Sequence, residues 1–181
     1  MPHWKTSLHP WINILSMKDK WAVVPGDGTA SATFITTQDL GRFIGRLMDA
    51  PEWDKESTVV GNEMQFNNLV ALAEEIRGEI LKANMRHQTP VLTQRPGCKF
   101  EVAYDSLEKL RAGKISFADR FPQIGMGTAA DDEAFFALVH YLAGSGNFVV
   151  APGRRTLNDQ FPEIQLTTCE EVMQTAWQGR T

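Results

Sequence analysis

The sequence lacks the features that mark secreted and membrane-spanning proteins. Cys98 and Cys169 are the only cysteines in 181 residues, so no disulfide framework is expected and a reducing compartment is indicated. No stretch approaches the roughly 18 consecutive apolar residues that a membrane span requires. The first residues lack the basic start and apolar run of a secretory signal. These absences predict a cytoplasmic protein with two inert thiols.

Positive charge is also scarce. The chain carries 18 Lys and Arg against 22 Asp and Glu, a net charge of −4, and its longest basic run is the Arg154–Arg155 pair. Proteins that bind nucleic acid or anionic membrane surfaces concentrate basic residues, because phosphate groups dominate those partners. The sequence therefore predicts neither a nucleic-acid partner nor a membrane partner.

Recognisable catalytic and metal-binding patterns are missing. The four histidines are widely spaced, and none lies beside Cys, Asp or another His at the spacing of metal ligands: His3, His9, His87 and His140. There is no Gly-x-Ser-x-Gly motif for a nucleophilic serine. We therefore assign no metal ligand and no catalytic residue from the sequence.

The patterns of nicotinamide-cofactor enzymes are missing as well. A dinucleotide-binding motif follows a β-rich run and opens a helix with a third glycine in register. Neither Gly125-Met126-Gly127 nor Gly144-Ser145-Gly146 meets this pattern, and both pairs are better explained as glycines in turns. No Tyr-x-x-x-Lys pair occurs either. We therefore assign no cofactor-binding residue.

What the sequence does contain is a pattern of alternating strands and helices. The length and the apolar fraction of 43% fit a single domain over residues 1–181 with its own core. Alternation of short β-rich runs with amphipathic segments favours an α/β fold. The predicted strands are residues 21–24, 33–36, 58–60 and 99–104. The predicted helices are one that starts at Thr36 or Thr37 and ends before Pro51, one at residues 66–77, a short one capped by Ser106 or Asp105, one at 131–142, and a last one after Thr167 or Thr168.

The helix that ends before Pro51 has the clearest signals. Thr36 or Thr37 can cap it, and five apolar residues at helical spacing predict one buried face: Leu40, Phe43, Ile44, Leu47 and Met48. Gly78 is expected to end the following helix. Residues 79–97 show no sustained periodicity and contain two prolines, so we expect an insertion or a partly disordered loop there.

Aromatic residues and one histidine are candidates for an apolar binding cavity. The candidate substrate-binding residues are His3, Trp4, Trp11, Phe117, Phe136 and His140. The alternative is that the aromatic residues belong to the core and that His140 is an ordinary helix residue, partly buried or on the surface. The sequence leaves both interpretations open.

Five stretches together carry a resemblance to a known family. They are WAVVPGDG, TFITTQDLGRFIGRLMDAPEW, GNEMQFNNLVALAEEIRG, KFEVAYDSLEKLRAG and LNDQFPEIQLTTCEEVMQTAW. In order and spacing they cover most of residues 21–177 apart from 79–97. This set resembles NmrA-like proteins, the atypical short-chain dehydrogenase/reductase group that includes isoflavone-reductase-like enzymes. The later stretches are most similar to fungal members found around secondary metabolism.

The resemblance implies a Rossmann-type NAD(P)-binding half followed by a mostly helical substrate lobe. In the family's usual layout the glycine-rich loop and the catalytic residues precede the stretches found here. We therefore expect a truncated Rossmann-like fold that lacks the N-terminal dinucleotide-binding strands and corresponds to the family's C-terminal portion. Missing strands leave an open sheet edge, so self-association through that edge is also expected.

Three functions remain compatible with this resemblance. The first is a relative of NAD(P)H-dependent oxidoreductases that acts on small apolar substrates and is not catalytically competent alone. The second is a non-enzymatic regulatory or binding module, and the third is a truncated gene product. NADP or NAD is the cofactor expected for the family, whereas this sequence offers no residue assigned to bind it.

Overall fold

The chain folds as a mixed α/β structure, which a computed structural model describes for residues 14–85, 98–151 and 153–177. The strands are β1 (Leu15–Ser16), β2 (Trp21–Pro25), β3 (Ser31–Phe34), β4 (Asn62–Gln65) and β5 (Glu101–Asp105). The helices are α1 (Thr37–Met48), α2 (Phe66–Met85), α3 (Leu107–Arg111), α4 (Ala129–Gly144), α5 (Leu157–Gln160) and α6 (Cys169–Trp177). A 3-10 turn at Ala118–Arg120 precedes α4. The predicted α/β class is confirmed.

The main sheet has the order β1-β2-β5 and is built around β2. Strand β2 pairs with β5 in parallel, from Trp21 with Glu101 to Pro25 with Asp105, and β1 is antiparallel to β2. Every residue of β2 is buried, and both α2 and α4 contact it. Because β2 and β5 are parallel and in register, their carboxyl ends lie side by side.

Several predicted helix starts are confirmed by their caps. The Thr36 hydroxyl accepts a hydrogen bond from the Asp39 N–H at 3.0 Å, which fixes the start of α1. Thr168 and Glu171 form a reciprocal capping box before α6. Helix α4 begins two residues earlier than predicted because Thr128 and Asp131 form a further capping box.

Helix α2 extends beyond its predicted end. Gly78 was expected to stop it, but the helix runs to Met85, so part of the predicted 79–97 loop is helical. An internal glycine costs a helix roughly 1 kcal/mol. Before Gly78, Ala73 and Ile76 lie in a buried cluster with Phe100. Residues 86–97, the remainder of that predicted insertion, lie outside the described part of the chain.

The predicted strand at residues 58–60 is wrong. This segment pairs instead with a side chain, because the Asn158 carboxamide accepts from the Val60 N–H at 2.8 Å and donates to the Val60 carbonyl at 3.0 Å. The carboxamide thus satisfies the backbone groups that a neighbouring strand would have paired. The actual strand, β4, follows at Asn62–Gln65 and pairs antiparallel with β3.

Helix α1 uses only part of its predicted apolar face. Phe43 is fully buried and packs with Leu157 and Phe161, whereas Ile44 and Met48 are 49% and 67% exposed. The prediction of one buried five-residue face was therefore wrong in extent, because only loops and α5 cover this side of the helix in the described residues.

Two predictions concern what surrounds the protein, namely a membrane and a second copy of the chain. None of the described helices is long and apolar enough to cross a membrane. Self-association through an open sheet edge stays a prediction.

Candidate functional site

An open cleft of about 650 Å³ lies at the carboxyl ends of β2 and β5. Ligands of open parallel α/β sheets bind at this end of the strands, where loops rather than strand backbone form the surface. The cleft is lined by Pro25, Gly26, Asp27, Thr29, Ala30, Tyr104, Ser106, Leu107, Glu108 and Gly144. Its volume lies within the range of roughly 300–1,000 Å³ that is typical of small-molecule sites.

The turn after β2 forms one side of the cleft. Gly26 and Gly28 have φ of +63° and +78°, a left-handed conformation that glycine adopts without strain. The Gly26 N–H donates to the Asp105 carbonyl at 2.8 Å, which attaches the turn to the end of β5. This turn leads into β3 rather than into a helix, so it does not place a helix N-terminus at the cleft as a dinucleotide-binding turn does.

The floor is apolar and tightly built. A Cβ atom at Gly144, the last residue of α4, would lie 2.7 Å from Leu107 Cδ2 and 2.8 Å from Pro25 Cβ. Only glycine therefore allows the end of α4 to approach β2 and α3 this closely. The three residues bring strand β2 and the helices α3 and α4 together under the cleft.

A chain of hydrogen bonds fixes the upper wall. Tyr104 Oη donates to Asn67 Oδ1 at 3.1 Å, and Asn67 Nδ2 donates to the Asp27 carbonyl at 3.0 Å. Because Tyr104 is 57% exposed and bound through its hydroxyl, its ring stands at the cleft in a fixed direction. Asn67 thus connects α2, β5 and the turn after β2.

Asp27 is held in its ionised form at the edge of the cleft. Its Oδ1 accepts from the Thr29 hydroxyl at 2.6 Å and from the Thr29 N–H at 3.0 Å. These hydrogen bonds hold the pKa of Asp27 below its ordinary value. Its second oxygen, Oδ2, has no hydrogen-bond partner among the described residues, so it can accept from a ligand.

Asp105 organises the loop behind the cleft. Its buried carboxylate accepts from the Ser116 N–H and Lys109 Nζ, both at 2.6 Å, and from Ser116 Oγ at 2.7 Å. Burial raises the pKa of Asp105, but the hydrogen bonds from Lys109 and Ser116 lower it by more, so this pKa lies below its ordinary value. Lys109 is committed to this network, which fixes α3 and with it the Ser106–Glu108 wall.

Comparison with curated proteins finds fungal relatives that are named oxidoreductases. The chain is 28% identical to oxidoreductase swnN of Metarhizium robertsii, over 98% of this chain and 48% of the relative. It is 25% identical to oxidoreductase swnN of Arthroderma benhamiae, over 96% and 55%. A shorter match, 28% identical over 79 residues, is to oxidoreductase BOA1 of Botryotinia fuckeliana. No family model matches the chain.

The similarity runs along nearly the whole of this chain, in agreement with the predicted relation to fungal oxidoreductases. The chain spans about half the length of the two swnN relatives.

None of the sequence-predicted binding residues that the structure describes lines the cleft. His3, Trp4 and Trp11 lie outside the described residues. Phe117 contacts Trp21 at the amino end of β2, with ring centroids 6.1 Å apart, at the end of the strand opposite to the cleft. Phe136 and His140, both 1% exposed, lie in α4, where Phe136 belongs to a buried cluster and His140 packs beside it. The described members of the predicted set therefore contact the core that supports the cleft.

Phe136 also borders a small second cavity. This space of about 120 Å³ lies between the 3-10 turn and the start of α4, beside Phe121 and Asp132. It is smaller than the usual volume of small-molecule sites. The Asp132 carboxylate there accepts from the backbone N–H groups of residues 124, 125 and 126 and is committed to holding that loop.

His140 is a buried neutral imidazole. Its Nδ1 lies 2.9 Å from the Phe136 carbonyl, which can only accept, so Nδ1 carries the proton. Nε2 is buried and has no partner among the described residues. Burial lowers the pKa of His140, and the backbone carbonyl and the negative charge of Asp105 offset this only in part.

The stability of the protein is expected to depend on pH through His140. Because the pKa of His140 is lowered in the folded state, the unfolded chain binds a proton first as pH falls below about 6.5. The free energy of unfolding should therefore fall from pH 7 to pH 5, by at most about 1.4 kcal/mol per pH unit from this group. Urea denaturation at a series of pH values measures it.

A His140→Gln variant provides the control, because it keeps a polar side chain but does not titrate. Its stability should change less between pH 7 and pH 5 than that of the wild type. An unchanged slope would contradict the assignment of this pH dependence to His140. The buried carboxylates do not interfere, since they protonate near or below pH 4.

Metal and thiol chemistry find little support in the described residues. No group of three His, Cys, Asp or Glu side chains in residues 14–85, 98–151 and 153–177 could hold a metal ion. Burial raises the pKa of Cys169, which opposes reactivity of that thiol.

Sequence reasoning missed the residues that line the cleft. The sequence patterns place Tyr104 in a predicted strand and assign no functional role to Asp27. A usable signal was present, because a Pro-Gly-Asp-Gly turn follows one predicted strand and a capped helix follows another. Only the parallel pairing of those two strands brings the turn and the cap together.

Proposed function

We propose that the chain is an NmrA-like protein related to NAD(P)H-dependent oxidoreductases, and that its cleft binds a small apolar molecule of the secondary-metabolite type. The observation that carries the proposal is the cleft at the carboxyl ends of two parallel strands. Apolar contact surface from Pro25, Leu107 and Tyr104 lies there beside a few fixed polar groups. This combination is typical of small-molecule sites. The names of the fungal relatives support the oxidoreductase part.

We further propose that the sheet of β1, β2 and β5 corresponds to the edge of a Rossmann-like sheet. The supporting features are the parallel pair β2 and β5 and the contacts of both α2 and α4 with β2. Helices on both faces of a parallel sheet are the arrangement of doubly wound folds.

NADP or NAD is the cofactor proposed for the family, and hydride transfer by this chain alone is not part of the proposal. Hydride transfer requires a nicotinamide ring positioned against the substrate. The turn at Gly26–Gly28 opens no helix, and the Asp27 and Glu108 carboxylates at the cleft repel phosphate groups. The cleft therefore suits a substrate better than the pyrophosphate of a dinucleotide.

Thermal unfolding tests the proposal. A ligand of the folded state raises the melting temperature, and one present at 100 times its Kd stabilises by about 2.7 kcal/mol, or roughly 5–10 °C for a domain of this size. We expect no shift with NADPH or NADH at about 1 mM, the upper end of typical KM values. We also expect no oxidation of NADPH by the chain alone. Apolar bicyclic probes should shift the melting temperature and perturb amide resonances at the cleft.

The second candidate, a non-enzymatic regulatory module that senses the cofactor, makes the opposite prediction. A clear rise in melting temperature with NADPH and none with the apolar probes would favour that module. It would also overturn the assignment of the cleft to a substrate.

A further inference from the structure

Three arginine side chains of the described residues lie over aromatic rings. Each guanidinium carbon lies 4.0–5.4 Å from the centroid of its ring: Arg46 over Phe161, Arg77 over Trp177 and Arg120 over Phe117. The negative face of the ring attracts the cation, but it leaves the five N–H donors of a guanidinium without acceptors. The three stacks therefore differ in what accepts from those donors.

Two of the stacks are completed by a carboxylate. Arg46 Nε donates to Glu163 Oε1 at 3.1 Å, and Arg120 Nη1 donates to Glu101 Oε2 at 2.7 Å. The side chains of these two arginines are 51% and 34% exposed. Each of these cations thus has an aromatic ring and an anion as partners, although water also reaches it.

The stack of Arg77 on Trp177 lacks such a carboxylate, and it is buried. Arg77 is 6% exposed, and its Nε is buried without a hydrogen-bond partner. It forms no ion pair with a described residue. The buried carboxylates of the described residues are all bonded: Asp39 to Arg42, Asp105 to Lys109, and Asp132 to three backbone N–H groups. Among the described residues, Arg77 is therefore the buried charge without a counter-ion.

No acidic side chain of this chain is placed to complete the stack. Glu74, about one turn before Arg77 in α2, accepts from Lys99 Nζ at 2.7 Å and from the Phe100 N–H at 2.9 Å, one with each oxygen. Glu79 follows Arg77 by two positions, and residues so spaced do not face each other on a helix. The sequence has no Asp or Glu outside the described residues, which leaves out 1–13, 86–97, 152 and 178–181.

The surroundings of Arg77 make a missing counter-ion unfavourable. Trp177 shares a buried cluster with Ala73, Ile76 and Phe100, so the guanidinium lies beside apolar groups. A buried charge without a partner is strongly destabilising, and arginine cannot relieve it by losing its proton. Two oxygens in one plane match the guanidinium fork, and one negative charge balances the single positive one. A carboxylate therefore suits the place better than a doubly charged phosphate, whose desolvation is more costly.

We propose that Arg77 and Trp177 form a binding site, at the junction of α2 and α6, for the carboxylate of a small molecule from outside the chain. The carboxylate accepts from the guanidinium fork, whose Nε–H now lacks a partner, while the Trp177 ring covers one face of the cation. The low exposure of both residues, 6% and 7%, restricts access to a small group. The site is separate from the cleft, because Arg77 lies about 15 Å along α2 from Asn67.

An NMR titration of the ¹⁵N-labelled full chain tests binding directly. Acetate replaces chloride at constant ionic strength and pH 7 (about neutral, where acetate is ionised). The Arg77 Nε–H and the Trp177 indole N–H resonances should move together and give one Kd. The Arg120 Nε–H should stay in place, because its guanidinium already holds Glu101. Phosphate, titrated in the same way, should bind more weakly than acetate.

Thermal unfolding of variants assigns the effect to Arg77. Arg77→Met keeps much of the apolar stem without the charge, so in chloride it should melt no more than about 2 °C below the wild type. Acetate at about ten times the measured Kd should raise the melting temperature of the wild type by about 4 °C and that of Arg77→Met by less than about 1 °C. Arg120→Met removes a stacked arginine that has its own carboxylate, and it should keep the acetate shift.

The outcomes decide between a binding site and a structural role. Equal acetate shifts in the wild type and in Arg77→Met are a general salt effect and overturn the site. An Arg77 Nε–H resonance that acetate does not move overturns it as well, and this measurement needs only the wild type. Tighter binding of phosphate than of acetate overturns the carboxylate class. Each result leaves the proposal for the cleft standing, since the cleft is tested with other probes.

Discussion

Replacing Asp39 with alanine is expected to lower the free energy of unfolding by about 3 kcal/mol. The Asp39 side chain is 1% exposed and accepts from the Thr167 N–H at 2.8 Å and from the Thr167 hydroxyl at 3.2 Å. It also forms an ion pair with Arg42, which donates in turn to the Gln165 carbonyl. The carboxylate thus fastens the start of α1 to the segment before α6, 128 residues away.

The large effect follows from what the substitution leaves behind. Without the carboxylate, the Thr167 N–H and hydroxyl lose their partner in a partly buried place, and each unsatisfied group costs about 1–3 kcal/mol. Arg42 is half exposed and recovers hydration, so its loss adds little. Urea denaturation at pH 7 measures the change.

Asp49→Ala is the matched control, since it removes a carboxylate from the other end of the same helix. Asp49 is 74% exposed and lies 3.5 Å from Arg46, so its loss should change stability by less than about 0.5 kcal/mol. Equal effects of the two substitutions would contradict the role assigned to Asp39.

The contribution of Asp39 also has a defined pH range. Burial raises the pKa of Asp39, but the hydrogen bonds from Arg42 and Thr167 outweigh it, so the folded-state pKa lies below the ordinary value. The stabilisation is therefore complete above about pH 4 and is lost as pH falls through the folded-state pKa. The Asp39→Ala variant should lose this acid-sensitive part.

Phe136→Ala should lower the free energy of unfolding by about 3–5 kcal/mol. Phe136 is 1% exposed, and its ring centroid lies 4.7 Å from that of Phe121. The same cluster contains Trp21 and Val23 of the central strand β2. Truncation leaves a cavity in the layer between α4 and the sheet, and close packing prevents its full collapse.

Leu138→Ala provides the comparison, because Leu138 lies on the same helix and is 52% exposed. Its truncation should change stability by less than about 1 kcal/mol. Together the two variants separate the alternatives that the sequence left open for Phe136. A binding residue would lose probe affinity with little loss of stability, whereas a core residue would show the reverse.

Local chemistry made much of the fold predictable. The caps Thr36, Ser106 and Thr168 are each one of two neighbouring candidates that the sequence offers, because a cap depends on a side-chain oxygen and on backbone groups within three residues of it. The core strand at Trp21 and the strand leading to Asp105 were predictable from short apolar and alternating runs. In these cases the decisive contacts are close along the chain.

The errors occur where a distant residue decides. The Asn158 carboxamide pairs with the backbone of Val60, 98 residues away, and so replaces a predicted strand. Helix α2 continues through Gly78, and its residues Ala73 and Ile76 pack with Phe100 from a later part of the chain. On α1, Ile44 is half exposed although its spacing matches that of buried Phe43, because periodicity indicates an apolar face but not what covers it.

The sequence by itself determined the α/β class, most helix starts and the relation to fungal oxidoreductases. Each of these depends on local hydrogen bonding, on periodicity or on the order of short stretches. Tertiary structure decided the site, because the cleft exists only where the turn at Asp27, the end of β5 and Gly144 meet. It also decided that Phe136 and His140 are buried in the supporting core. Burial and proximity between distant segments depend on parallel pairing and packing, which no single stretch of sequence encodes.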